Sequence, residues 1–419
     1  MSNSVFGVAT RAVAGFSRIG IMLLLASRYG PTLFGKVALA MSLMEVFRSF
    51  SEFGLDTIAL RKFSQVQVPQ HRFTLLRQVI TSKLLAAGLF YVVSIVVAGL
   101  VTRERTEIEL VLVASLSLFS ANLVGALTTY YQSQFQMPRI FVRTLGVYAT
   151  YVSVAFLAIF THAPLLVIVA ILPAAELLYF ALLYRVEMKY AGFSYNVSAT
   201  AALLKESLPL GIMSSMIFLY MRLDNIVVFK FLGDTALGLY ATCFRMVEPA
   251  LMVPVAFSTT LLVLLSTHSQ EYKTRKQVLH VAIKALWPAY LFTFGAGLAL
   301  ILAGRTVLRH FNPAYEAAYP ALRILALCLM IRSVNVVLTT IINSRGAYYM
   351  LTRITLTNLV VNIILVVILV PRLGITGAAW AAFGTELWNM VVLGRCLGKL
   401  TAVRGIPEYE LISLEPECE

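Results

Sequence analysis

The chain has 419 residues, of which 59% are hydrophobic and 13% charged, and its formal net charge is +14. A soluble domain is nearer half apolar and a quarter charged, so this composition excludes an ordinary soluble protein and marks an integral membrane protein, which its long apolar runs make all-α. The positive charge does not point to nucleic acid, because the basic residues lie singly or in small groups between apolar runs, as they do where a membrane protein orients itself.

Crossing roughly 30 Å of hydrocarbon at 1.5 Å per residue takes about 20 apolar residues. Twelve stretches qualify, near 12–29, 37–60, 78–101, 109–131, 143–161, 164–184, 207–232, 237–265, 281–303, 320–343, 354–371 and 374–397. The first begins near Val13 and leads straight into the second, so no cleavable signal peptide is expected. The connector 61–77 carries Arg61, Lys62, Arg72 and Arg77; 185–205 carries Arg185, Lys189 and Lys205; 266–278 carries Lys273, Arg275 and Lys276. Counting Lys and Arg outside the spans gives about 19 on the side of both termini and about 8 on the other, which predicts cytoplasmic termini. The longest outward connector, 304–320, is expected to be a solvated loop or at most a short lid.

Cys243, Cys328 and Cys396 fall in spans and Cys418 in the tail, with no CxxC and no nearby histidine pair. Neither a disulfide framework nor a metal site is expected. The chain also lacks a Gly-rich phosphate loop, a nucleophile elbow and a metalloenzyme cluster, so no cofactor and no enzymatic activity are expected.

The sequence repeats itself. SRYGPTLFGKVALA (27–40) resembles KFLGDTALGLYATC (230–243) at a shift of 203, which matches Gly30 with Gly233, Gly35 with Gly238 and Glu45 with Glu248. LTTYYQS (127–133) matches LTTIINS (338–344) at a shift of 211, and a shift of 210 pairs Arg143 with Arg353 and Glu176 with Glu386. Six spans in tandem give two halves in the same orientation, related by an axis along the membrane normal, with a site between them near mid-membrane. The expected organisation is a six-helix lobe at 1–190, a linker at 191–206, a second six-helix lobe at 207–400 and an acidic tail at 401–419.

An ionisable side chain at the bilayer centre costs at least about 2.5–3.5 kcal/mol on insertion scales, so buried charges mark interior sites. Span 2 carries Glu45, Arg48, Glu52 and Asp56 at spacings that place all four on one helical face, where Arg48 can pair in either direction. Arg245 and Glu248, Arg332 and Asn335, Asn358 and Asn362, and Glu386 and Asn389 are likewise one turn apart. Arg48, Arg222, Arg245 and Arg332 suit an anion, because guanidinium matches phosphate oxygens bidentately. Asn335, Asn358 and Asn362 suit a polar ligand, while Glu45, Glu52, Glu176, Asp224, Glu248 and Glu386 can carry a proton, bind a cation or pair inside the membrane. For each of these residues, an ion pair that merely joins two helices is the competing reading. Lys83 and Lys284 lie at span ends and are expected to snorkel. In LYMRLDNIVVFKFLG (219–233), Arg222 and Asp224 point roughly 200° apart around the helix, so they cannot form one pair. The 203 shift places them on Ile19 and Ile21, so Asp224 belongs to one lobe alone and suits a partner on another helix or a coupling carboxylate.

The run LLLASRYGPTLFGKVALAMSLMEVFRSFSEFGLDTIALRKF resembles the opening of the bacterial polysaccharide transporters of the MATE-like exporter superfamily. SLPLGIMSSMIFLYMRLDNIVVFKFLGDTALGLYATCFRMVEP and PRLGITGAAWAAFGTEL resemble later elements of the same family in the expected order. The resemblance implies a MATE-like fold and a flippase for an undecaprenyl-type lipid-linked oligosaccharide, as in O-antigen, capsule or exopolysaccharide assembly. It further implies the bacterial inner membrane, coupling to protons or sodium ions, and a polysaccharide polymerase and chain-length regulator as partners. A multidrug or metabolite cation antiporter of the same fold is the nearest alternative, and an integral membrane glycan polymerase or ligase the second.

Overall fold

A computed structural model describes residues 2–66, 68–187, 196–267 and 275–402. The heart of the 191–206 linker, most of the basic connector 266–278 and the acidic tail beyond 402 lie outside them. Nine helical stretches among the described residues are long and apolar enough to cross a membrane, two of them 60 and 53 residues in length. Each of the two long ones is a hairpin. In α1 (Ser2–Glu52) the backbone leaves helical geometry at Gly30, φ 76 and ψ 174. Arg18 and Arg48, about 45 Å apart on a straight helix, both reach Oε1 of Glu176, at 2.8 and 3.1 Å. The chain must therefore fold back between them, at a φ that glycine alone adopts without strain. The same turn recurs 203 residues later at Gly233 (φ 80, ψ −173) in Val197–Thr267.

After α1 the first lobe continues through α2 (Leu55–Gln65), α3 (Pro69–Val101), α4 (Arg105–Ser115), α5 (Ser117–Ser133), α6 (Met137–Phe160) and α7 (Leu165–Glu187). The second consists of α8 (Val197–Thr267), α9 (Arg275–Phe311), a 3₁₀ turn (Pro313–Ala318), α10 (Tyr319–Ser344), α11 (Tyr348–Leu373) and α12 (Ile375–Ala402). Span 4 of the sequence reading is the pair α4 and α5, which meet at Leu116. Span 2 ends early, because Phe53 (φ 48) and Gly54 (φ 68) break the helix before Asp56. Exposed Leu85, Leu89, Val92, Val96 and Leu100 form a lipid-facing stripe on α3, and Ile283, Trp287, Leu291, Phe294, Leu298 and Leu302 form its counterpart on α9.

Pseudo-two-fold symmetry shows in the contacts of the two hairpin tips. Thr32 and Thr235 are each other's counterparts under the 203 shift, and their hydroxyls lie 2.9 Å apart. Gly35 sits against the carbonyl oxygen of Asp234 so closely that a Cβ there would collide, and Gly238 sits in the same way against the carbonyl of Pro31. These contacts are reciprocal, as an axis through the interface requires. At the opposite end, Gly54 and Gly211 bring α8 against the break between α1 and α2. There Glu206 pairs with Arg61 and, at 2.8 Å, with Lys62, and these two cations hold its carboxyl below the usual range.

Two expectations are corrected. The connector 304–320 is no solvated loop: Tyr315 is fully buried and donates to the carbonyl of Ala26 at 3.1 Å, while Asn312 donates to that of Ser27 at 3.2 Å. Lys83 does not snorkel. It is 1% exposed, its Nζ lies 2.6 Å from Asp56 Oδ1, and Thr129 donates to the same oxygen at 2.9 Å. Breaking the helix at Gly54 is what turns Asp56 towards α3. Lys284, by contrast, is exposed as expected.

The tip contacts make a prediction. Gly35→Ala and Gly238→Ala should each lower the thermal unfolding midpoint through an overpacking cost of about 1–3 kcal/mol. Gly20→Ala, whose added methyl meets nothing within 4 Å, should not. Unchanged midpoints in both tip variants would contradict the close approach.

Candidate functional site

Between the lobes lies a cavity of about 310 Å³ whose lining includes Arg18, Glu45, Arg48, Glu52, Arg222, Arg245 and Glu248, with Met22, Met41, Met44 and Tyr151. Four of these charges close a ring. Arg245 contacts Glu248 Oε2 at 2.7 Å and Glu45 Oε1 at 3.2 Å; Arg222 contacts Glu45 and lies 3.5 Å from Glu248 Oε1. Glu45 comes from the first lobe and the other three from α8, so two of the four contacts cross the interface. The two glutamates are counterparts in the repeat, and each guanidinium bridges both. Phe244 supports Arg222, whose Cζ sits 5.7 Å from the ring centroid.

In the first lobe Glu176, 4% exposed, is saturated by partners. Arg18 and Arg48 share its Oε1, while Ser117 and Ser120 donate to Oε2 at 2.5 and 2.7 Å. Arg18 also donates to the Tyr148 hydroxyl at 3.0 Å, and Arg48 reaches Glu52 at 3.2 Å. The two arginines thus present guanidinium faces to the cavity while anchored from behind.

The second lobe repeats this design with different chemistry. Glu386 takes the place of Glu176, and its partners are Asn335 Nδ2 at 2.7 Å, the Tyr220 hydroxyl at 3.2 Å and Arg332 at 3.4 Å. Arg332, Asn335, Asn358, Glu386 and Asn389 line a separate cavity of about 490 Å³. Beside it, Asp224 and Asn362 line a small void of about 30 Å³. Asp224 is 7% exposed and accepts from the Tyr240 hydroxyl at 3.2 Å. Among the described residues no arginine or lysine lies within ion-pair distance of it, and its Oδ1 is buried without a hydrogen-bond partner.

The residues singled out in the sequence therefore fall into two sets and not one shared interior. Glu45, Arg48, Glu52, Arg222, Arg245 and Glu248 meet at the central cavity, with Glu176 behind it; Asp224, Arg332, Asn335, Asn358, Asn362 and Glu386 meet inside the second lobe. The expected stripe holds as far as Glu52, since Glu45, Arg48 and Glu52 all line the central cavity and Arg48 pairs with Glu52, but it does not extend to Asp56. Arg48 turns to Glu52 and Glu176, Glu45 turns across to the other lobe, and Asp56 lies beyond the helix break. Arg222 and Asp224 indeed diverge, one into each set. Sequence reasoning missed Arg18, although an arginine inside the first apolar run was a signal. Ser117, Ser120, Tyr220 and Tyr240 gave none, because hydroxyls are common in such helices.

The sequence pattern of the family described as Polysaccharide biosynthesis protein matches residues 8–265, and that of the MatE family matches residues 209–368. Over 192 residues the chain is 25% identical to the "Probable flippase AglR" of Haloferax volcanii, a match that covers 45% of this chain and 38% of that relative. The chain thus spans well under two thirds of that relative's length. In fold it is similar to a solved structure of the lipid II flippase MurJ in an inward closed conformation, with a TM-score of 0.78 and 14% identity over 94% of this chain and 87% of that one. It is also similar to an inward-facing MATE family multidrug resistance transporter of the MOP superfamily, with a TM-score of 0.70 and 13% identity over 96% of each chain. With its two pseudosymmetric lobes and a charged cavity between them, this multi-pass membrane chain belongs to the Polysaccharide biosynthesis protein family.

Proposed function

We propose that the protein is a flippase that carries a polyprenyl-pyrophosphate-linked oligosaccharide from the cytoplasmic to the outer leaflet of the bacterial inner membrane. The observation that carries this reading is the central cavity, where Arg18, Arg48, Arg222 and Arg245 converge between two symmetric lobes. A diphosphate bearing a sugar chain cannot cross hydrocarbon unaided and needs a polar route. Its oxygens are suited to the guanidinium N–H groups that Glu45, Glu248 and Glu176 now occupy, so substrate entry is an exchange of partners. That exchange loosens contacts across the interface, which is how binding biases one state of the lobes against another. A cation-drug antiporter would have to seat a positive drug in a cavity whose acids, Glu45, Glu52 and Glu248 with Glu176 behind them, are already paired with four arginines and leave no excess negative charge. A polymerase or ligase would need a catalytic outer loop, and the 304–320 connector is folded into the protein.

The basic connectors favour an orientation with the Gly54 end and both termini cytoplasmic and the hairpin tips outside. We keep the division into lobes at 1–190 and 207–400. Asp224, held by Tyr240 beside Asn362 and lacking an arginine partner, is suited to carry the coupling proton or sodium ion. Polymerase and chain-length regulator are the partners of such a pathway.

In proteoliposomes containing a fluorescent lipid-linked oligosaccharide, Arg222→Ala and Arg48→Ala should each cut flipping roughly tenfold or more, the loss expected when a charged hydrogen bond worth about 1.5–3 kcal/mol is removed. Cells carrying them should lose surface polysaccharide at normal membrane abundance. Full activity in both would rule out the diphosphate role. Asp224→Asn should leave substrate binding in place and remove the acceleration by an imposed proton or sodium gradient; retained acceleration would take Asp224 out of the coupling path.

A further inference from the structure

Away from the central cavity, three carboxylates converge on the boundary between the lobes at the hairpin tips. Glu104 precedes α4, Glu107 lies in its first turn, and Asp234 follows the Gly233 turn of α8. One oxygen from each lies within 4.8 Å of the other two. Lys36 stands beside them, touching Glu104 and lying 4.0 Å from Asp234 Oδ2. With all three acids ionised, the one lysine leaves two negative charges, which the N-terminus of α4 offsets only in part. Two oxygens go further than an acidic patch would. Glu107 is 2% exposed, and its Oε2 is buried with no hydrogen-bond partner; the same is true of Asp234 Oδ1. A buried carboxylate oxygen without a partner pays the desolvation cost in full unless a cation or a proton meets it.

We propose that Glu104, Glu107 and Asp234 form a binding site for a hard divalent cation of the calcium class that ties the two lobes together at the tips. Such ions take carboxylate oxygens at about 2.3–2.6 Å, so two ligands on opposite sides of one ion stand up to about 5 Å apart. The observed spacing holds an ion without moving either lobe. Calcium fits better than magnesium because it tolerates an irregular ligand set completed by water, whereas magnesium demands a near-ideal octahedron. The ion joins Asp234 of the second lobe to Glu104 and Glu107 of the first, beside the Thr32–Thr235 contact, and so holds the tips closed. Lys36 is the built-in competitor, a tethered cation that partly fills the same role. That the site faces outward rests on the orientation proposed above; the binding itself does not.

The test is equilibrium binding of radiolabelled Ca²⁺ to the purified full-length protein in detergent. One saturable site is expected, with a Kd of about 10⁻⁴–10⁻³ M, the range of extracellular calcium modules. Glu107→Gln should weaken it at least tenfold, and Glu104→Gln, at a side chain nearly half exposed and safe for folding, several-fold. Lys36→Met should tighten it several-fold, a change that a merely structural role for the cluster would not produce. Absence of saturable binding to the wild type, or binding that both Gln variants leave unchanged, overturns the proposal. Acid-induced stabilisation without any Ca²⁺ binding overturns it too, because a proton would then satisfy the orphaned oxygens. No transport is measured, so failure here leaves the flippase reading intact.

Discussion

Everything in this molecule follows from one constraint: a charge placed in hydrocarbon must find a partner there. The ring of Glu45, Arg222, Arg245 and Glu248 meets that demand with contacts that cross between lobes and contacts that do not. It is electrically neutral, yet none of its four members is committed to a single partner. A rigid one-to-one pair would have to be broken before either charge could serve a ligand. A ring in which each group has two partners can give up one contact and keep another, which would suit the parting of the lobes in the proposed transport cycle.

The two lobes carry the same plan with different contents. Glu176 and Glu386 occupy matching places, but one is surrounded by two arginines and two serines and the other by asparagine, tyrosine and one arginine. Duplication thus preserved the backbone and the anchoring carboxylate, while the surrounding chemistry diverged. The first lobe turns its guanidinium groups to the shared cavity. The second encloses its polar groups around Asp224, with which no arginine or lysine among the described residues makes an ion pair.

Much of the architecture was legible in the sequence because hydrocarbon writes it there. The apolar runs marked the spans, and the glycine and glutamate matches at a shift of 203 disclosed the symmetry that Thr32 and Thr235 make physical. Candidate charges were legible for the same reason, since Arg222 or Glu386 in an apolar run is conspicuous. Their partners were not. Helical spacing suggested that Glu45 and Arg48 belong together, but a tertiary contact from α8 captured Glu45, and nothing local encodes that. Asp56 was misplaced because two residues with positive φ, only one of them a glycine, break the helix ahead of it. Lys83 was misjudged because its partner lies on another helix and its depth depends on that partner.

In the proposed transport cycle the hairpin tips would be the fulcrum. Gly35 and Gly238 bring backbone against backbone at the point where the two lobes approach most closely. Glu45 lies ten residues from Gly35, about 15 Å along the helix, and Gly54 lies nineteen residues away, about 28 Å. A rocking motion about the tips would therefore open the charged ring by roughly half as much as the far end. A wide mouth at one face would then be geared to a small parting of Glu45 from Arg222 and Arg245, a displacement on the scale of exchanging one ion-pair partner for another.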